Sequence, residues 1–273
     1  MAEKTKIAWC HHTFNCWIGC TKIAEGCKFC YAEQLMDHRY KRVEWGENGT
    51  RSRTSAKNWN DPVKWNKQAG EQGEKHKVFC ASLADVFEDK AELVPWRTDL
   101  FNLIDKCSNL YWLLLTKRPQ NIIDMWPKDG KKRDNVWLGT SIAIQKNVDE
   151  YIPPLLETKH LCQHLFLSVE PQIGQIDLQD YLFPTALVDW VILGGESKQG
   201  KEEPRPYDIE WARFSLEQCR LAGVPCFLKQ FGSNVYDNGV RVNFKDHHGG
   251  DVAEWPADMI VRECPETYFR VEV

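Results

Sequence analysis

The sequence predicts an α/β fold, an incomplete or modified (β/α) barrel of the TIM type with about six or seven parallel strands. Three observations point there. From about residue 78 onward, short β-branched and aromatic apolar runs alternate with longer stretches of helical period, the pattern of repeated strand-helix units. The runs are nearly continuous rather than alternating, as expected of strands covered on both faces. Polar side chains gather just after each run, where a (β/α) barrel carries its functional groups.

A first strand is expected around Ile7 to Phe14, ahead of a cysteine-rich loop. Further strands are expected at residues 77–81, 110–115, 135–139, 164–168, 189–193 and 225–228. Helices are expected near residues 95–107, 119–126, 144–158 and 208–222. The last of these closes on Ala222-Gly223-Val224-Pro225, a glycine free to turn left-handed and a proline that cannot continue a helix. An open parallel sheet is the alternative to the barrel. A length of 273 residues suits one enlarged domain. It is read as a single domain over 1–273, with a cysteine-cluster loop at 10–32, a basic aromatic insertion at 38–77 and a C-terminal extension at 233–273.

Thirty-five Lys and Arg against 39 Asp and Glu leave a net charge of −4, which excludes a wholly basic nucleic-acid coat or a polybasic membrane anchor. Mean hydropathy is −0.51, and no run approaches the roughly 20 apolar residues of a membrane span, so no membrane partner is expected. Residues Met1 to Lys6 lack the pattern of a secretory leader, so a cytoplasmic, reducing location is expected.

In that compartment, eleven cysteines, five of them within the first 30 residues, suggest a metal or cluster rather than disulfides. Cys20, Cys27 and Cys30 have the spacing C-x6-C-x2-C on a loop flanked by Gly19 and Gly26. Structural zinc normally takes a fourth Cys or His, whereas a 4Fe-4S cluster on three cysteines leaves one iron open. Tyr31-Ala32-Glu33-Gln34-Leu35 opens a helix whose first amides favour negative charge. Two other readings stay open: zinc with Cys10, Cys16, His11 or His12 as fourth ligand, and unliganded buried thiols. Cys80, Cys107, Cys162, Cys219, Cys226 and Cys264 read as core, and His247-His248 as an exposed loop rather than a metal site.

The insertion at 38–77 holds ten Lys or Arg against five Asp or Glu, interleaved with Tyr40, Trp45, Trp59 and Trp65. Cations among aromatics suit phosphates and stacked bases, so nucleic acid is the expected partner here, with Arg51, Arg53 and Lys57 as the contacts. A solvated, partly helical insertion is the plainer reading. The strand-end residues are Ser82 and Asp85, Thr116, Lys117 and Arg118, Thr140 and Ser141, Ser168 and Glu170, Gly194-Gly195-Glu196, and Lys229 with Gln230. For each of them the plainer role is a cap or a structural ion pair.

The segments Phe14–Cys20, Gly26–Ala32, Leu115–Pro119, Leu138–Ser141, Leu167–Pro171, Ile192–Ser197 and Phe227–Gly232 occur in order along most of the chain. Together they resemble the three-cysteine-motif family of phage and bacterial proteins, which is similar to radical S-adenosylmethionine enzymes. The resemblance implies a 4Fe-4S cluster on Cys20, Cys27 and Cys30, with S-adenosylmethionine on the open iron and a 5′-deoxyadenosyl radical as its product. The first spacing is longer than the C-x3-C-x2-C of many such enzymes. Gly194-Gly195-Glu196 resembles the glycine-rich motif that meets the methionyl amino group, with Ser82 and Asp85 as rivals for that role. Ser141 and Glu170 are the expected partners of the ribose hydroxyls, and Lys117, Arg118 or Arg205 of a carboxylate or phosphate. Lys229 and Glu170 are the expected catalytic residues, Lys229 as proton donor or anion clamp, with a buried Lys229–Glu196 ion pair an equal alternative. The phage association and the basic insertion imply a nucleic-acid or nucleotide substrate, in modification or repair. A metal-stabilised module that binds nucleic acid or protein without catalysis is the competing function. A hydrolase using Glu170 or Glu196 as general base is a third.

Overall fold

The computed structural model describes Thr5 and residues 7–266. Seven strands carry the fold: β1 (His12–Phe14), β2 (His76–Cys80), β3 (Leu110–Thr116), β4 (Arg133–Ser141), β5 (Cys162–Val169), β6 (Trp190–Gly194) and β7 (Cys226–Gln230). Their hydrogen-bonded order is simply the chain order, with β1 and β7 as its two ends. There is no reversal of the doubly wound kind, and the ring is not closed. The class is therefore α/β on an open seven-stranded parallel sheet, and each expected strand is present with its ends moved by a few residues. The first is the exception, reduced to His12–Phe14.

The chain divides into two compact units. The first holds the residues up to Thr140 together with Glu157–His164, and the second holds Ser141–Leu156 and the residues from Leu165.

In the first unit the parallel register sets His12 beside Val78, Val78 beside Trp112 and Trp112 beside Val136. Val78, Trp112, Leu113, Leu114 and Val136 are wholly buried, which is why these strands read as continuous apolar runs. Each such aliphatic side chain contributes roughly 1.5–3 kcal/mol on leaving water. Helix α1 (Ala56–Gln72) lies inside the basic insertion. Ser55 caps it by accepting from the Asn58 amide, and Gly73, left-handed at φ 69°, ends it. Asn58, Pro62, Trp65 and Ala69 recur at helical spacing and form its buried face. Helix α2 (Leu93–Lys106) buries Leu93, Leu100, Phe101 and Ile104. The helix expected near 119–126 is a 3-10 turn at Pro119–Asn121 followed by one α turn at Ile122–Met125.

The insertion corrects the expected nucleic-acid contacts. Arg51 is buried, its guanidinium closed on Glu88, so it does not meet phosphate. Trp65 is buried and stacked on His12 at 4.3 Å, so it is unavailable to a base. Arg53 pairs with Asp99 and lies over the Trp59 ring. Lys57 is exposed.

In the second unit β5, β6 and β7 pair in parallel, setting Phe166 beside Trp190 and Val191 beside Cys226. Helix α3 (Gln145–Leu156) buries Val148, Ile152 and Leu155. Helix α4 (Ile209–Ala222) starts on Asp208, whose carboxylate accepts from the Glu210 amide, and stops at Gly223 with φ 62°. Beyond Ser233 come short strands at Val235–Asp237 and Val240–Val242 and single 3-10 turns. The six cysteines expected in the core are all buried, and His247 and His248 are exposed. Among the described residues no helix is long and apolar enough to cross a membrane.

Candidate functional site

In the first unit the cysteine loop leaves the sheet just past β1. The Asn15 carboxamide receives the Leu83 amide at 2.7 Å and donates to Ser82 Oγ at 3.0 Å, fastening this exit to the segment after β2. At Gly19, φ is 110°, and a Cβ would stand 2.6 Å from the Thr50 carbonyl oxygen, so no other residue fits this turn. Cys20, Cys27 and Cys30 then follow as free, half-buried thiols. Cys27 closes a 3-10 turn, and Cys30 immediately precedes the helical turn Tyr31–Glu33. The Tyr31 hydroxyl donates to the Ser82 carbonyl.

Beside this loop lies a buried charge network. The Arg51 guanidinium grips Glu88 with Nε and Nη2, both at 2.7 Å, and also donates to Thr21 Oγ1 and the Thr50 and Gly46 carbonyls. Asp85 accepts from Thr116 Oγ1 at 2.7 Å, the Phe87 amide at 3.0 Å, the Lys117 amide at 3.2 Å and Arg118 Nη1 at 2.8 Å. Its carboxylate is therefore saturated by the protein itself. Arg118 also donates to the Thr21 carbonyl at 2.9 Å, and its Nη1 lies 3.7 Å from Cys20 Sγ. Arg97 gives its donors to the Val86 and Glu88 carbonyls. Three buried arginines thus face two buried carboxylates, a surplus of positive charge.

Burial pushes the Cys20 thiol up to about 12, with Asp85 adding to the rise and Arg118 opposing it. Cys30 is also raised by burial, against the pull of the Glu33 and Ala32 amides and of Lys117, while Cys27 adds to the rise. Among the described residues no three His, Cys, Asp or Glu side chains converge closely enough to hold a metal ion. Cys20, Cys27 and Cys30 share one loop as free thiols but form no such group. The Cys20 sulfur faces the Thr21 carbonyl and Arg118. The residues considered as a fourth ligand are engaged elsewhere: Cys10 with the Ile7 carbonyl, Cys16 against Cys80, His11 with the Lys77 amide, and His12 with His76.

The second unit brings together another part of the expected set. Lys229 Nζ lies 2.8 Å from Glu170 Oε1, Ser168 Oγ donates to Oε2 at 3.3 Å, and Ser141 Oγ donates to the Glu170 carbonyl at 3.1 Å. Lys229 therefore pairs with Glu170 and not with Glu196. Glu196 is buried and held by Arg205 through the side chain and the backbone amide. The glycines of Gly194-Gly195-Glu196 have a packing reason: a Cβ on Gly194 would meet Glu170 Oε1 at 2.6 Å, and one on Gly195 would meet the Phe231 carbonyl oxygen at 1.9 Å.

Sequence reasoning missed Arg51, Glu88 and Arg97 as members of the charge network. Only an Arg buried among carboxylates marks them, and burial is not written in their neighbours. A cavity of about 120 Å³ lined by Asp149, Asp177, Asp180 and Tyr181 involves none of the expected residues.

Residues 4–255 match the model of a family described as a protein of unknown function, DUF5131. No curated protein and no solved structure matches the chain.

Proposed function

The chain belongs to that family of unknown function, and from its own residues we propose that it is a radical S-adenosylmethionine-like iron–sulfur enzyme acting on a nucleic acid or nucleotide. One observation carries the reading. Three free thiols, Cys20, Cys27 and Cys30, sit on a single loop against a buried network in which arginines outnumber carboxylates. Three soft donors suit a 4Fe-4S cluster that keeps one iron open, and surplus positive charge suits an anionic group. Such a cluster supplies one-electron reduction of a bound sulfonium cofactor.

The chain's residues carry the other tasks. The three cysteines hold the cluster, and Asp85 holds Arg118 in place. Ser82 and Lys117, half-buried beside the loop, are the proposed contacts for the cofactor's amino and carboxylate groups. In the second unit, Lys229 and Glu170 form the proposed acid–base pair, since one proton moved between them at 2.8 Å leaves both neutral.

The test is anaerobic purification with iron, sulfide and zinc analysis, followed by dithionite with S-adenosylmethionine and chromatography for 5′-deoxyadenosine. About four irons per chain and released 5′-deoxyadenosine are expected. Stoichiometric zinc with no cofactor cleavage overturns the reading.

One feature favours a second reading, a metal-stabilised module that binds nucleic acid without catalysis. Arg39, Tyr40, Lys41 and Arg42 are consecutive and exposed, with Arg39 over the Tyr40 ring. Binding to single-stranded DNA that weakens steeply with salt and is lost on neutralising these three cations, in a zinc-loaded chain, is the result that selects it.

A further inference from the structure

Helix α4 and strand β7 are joined by the turn Gly223-Val224-Pro225, and each brings a cysteine to the junction. Cys219 lies on the buried face of α4, at helical spacing from Ile209, Ala212 and Ser215. Cys226 opens β7 beside Val191 of β6. Gly223 turns left-handed at φ 62°, and the Val224 amide donates to the Cys219 carbonyl at 2.9 Å, so the chain folds straight back from helix to strand. The two thiols meet there in a hydrogen bond, with Cys219 1% and Cys226 2% exposed. Burial pushes the Cys226 thiol well up, and Cys219 and Glu263 add to the rise. Cys16 and Cys80 meet in the same way in the first unit, wholly enclosed. The pair in the second unit differs in lying under a helix end whose outer side, Arg220 and Leu221, is exposed.

We propose that Cys219 and Cys226 are a modification site, a dithiol that a low-molecular-weight disulfide such as oxidised glutathione converts reversibly to an intramolecular disulfide, stapling the end of α4 to the start of β7. Fraying of the last helical turn admits the reagent. One protein thiol, as its thiolate, attacks a sulfur of oxidised glutathione, forming a mixed disulfide and releasing one glutathione. The second protein thiol then attacks the protein sulfur of that bond and releases the other glutathione. Two protein thiols are oxidised, and the two electrons and two protons leave on the two glutathiones. The fold favours the second step for two reasons. It already holds the two sulfurs in contact, so closing the bond costs little further entropy. A close-packed core also has no room for a glutathionyl group, so re-forming the helix end drives the mixed disulfide on to the internal one. Burial thus shields each thiol from lasting modification by itself and selects the bond between the two.

The experiment uses the full chain, fully reduced and then equilibrated in buffers of reduced and oxidised glutathione, once folded and once in urea. Acid quenches the exchange, remaining thiols are alkylated in denaturant, and the chain is digested with trypsin without reduction. Cleavage after Arg213, Arg220 and Lys229 puts the two cysteines on separate peptides, Phe214–Arg220 and Leu221–Lys229, so the bond appears in the mass spectrum as a linked pair. The linked pair is expected to be the main oxidised form of both peptides from the folded chain and to return to free thiols with dithiothreitol. Its equilibrium constant is expected to exceed that of the urea-unfolded chain by about tenfold or more, because only the fold holds the sulfurs together. Three results overturn the proposal: both cysteines recovered as free thiols from the folded chain, either one linked instead to another cysteine, or equal constants in the folded and unfolded chains.

Discussion

The Glu170 carboxylate lies directly over Gly194, so close that a Cβ at that position would stand 2.6 Å from Oε1. Lys229 holds the same oxygen from another side at 2.8 Å. A glycine at the end of β6 is thus the condition for a carboxylate–ammonium pair carried by β7 and the residue just past β5.

Gly194→Ala is expected to push the Glu170 side chain aside and lower stability by about 1–3 kcal/mol, the usual range for overpacking. Gly195→Ala is expected to be worse. Its Cβ meets the Phe231 carbonyl oxygen at 1.9 Å, and a backbone atom between β7 and Gly232 cannot swing away as a carboxylate can. Urea denaturation of the two variants checks the order; equal losses contradict it.

Glu88→Gln is expected to destabilise by roughly 3–5 kcal/mol, because it leaves the wholly buried Arg51 guanidinium without its bidentate carboxylate. The double variant Arg51→Met with Glu88→Leu is expected to be less damaging than Glu88→Gln alone, since it removes both charges. Denaturant midpoints of the three chains measure this directly.

Histidines set a pH dependence. His76 Nε2 lies 3.0 Å from Gln72 Oε1, and its Nδ1 lies 3.1 Å from His12 Nε2. His11 Nδ1 accepts from the Lys77 amide. Accepting from that amide leaves the His11 ring neutral. Burial, then His76, Lys77 and His12, hold His11 down at about 4, against an ordinary histidine value of 6.5. With the folded value below the unfolded one, the unfolded chain binds more protons in between. The stabilising contribution is present above the unfolded value and is lost as pH falls toward the folded one. His11 is half-exposed, so solvent screening reduces the effect. His11→Gln is expected to flatten the fall of the denaturation midpoint across that interval; an unchanged slope counts against the assignment.

Cys27→Ser and Cys30→Ser are each expected to lower iron bound per chain sharply, while Cys107→Ser leaves it unchanged, because Cys107 is buried beyond α2 and away from the loop. Iron analysis after anaerobic loading reads both. Equal iron in all three variants removes these thiols as ligands.

The α/β class, the seven strands and the glycine stop of α4 were legible because each has a local cause. Continuous apolar runs such as Leu110–Leu115 report burial on both faces, and Ala222-Gly223-Val224-Pro225 cannot continue a helix. The cysteine loop was legible for the same reason, since its three thiols lie within eleven consecutive residues. The insertion was only half legible. Its cation count marked a basic segment, yet helical spacing in α1 turns Trp65 inward, and the loop before it carries Arg51 into the core.

By itself, then, the sequence determined the order of strands and helices and which residues stand at the strand ends. Which charges meet was decided only by the tertiary structure. Arg51 reaches Glu88 across 37 residues, Arg118 reaches Asp85 across 33, and Lys229 reaches Glu170 across 59 rather than the nearer Glu196, which Arg205 takes. The physical reason is that periodicity and capping act between neighbours in the chain. An ion pair across a parallel sheet depends instead on strand register and side-chain direction, and no local pattern records either.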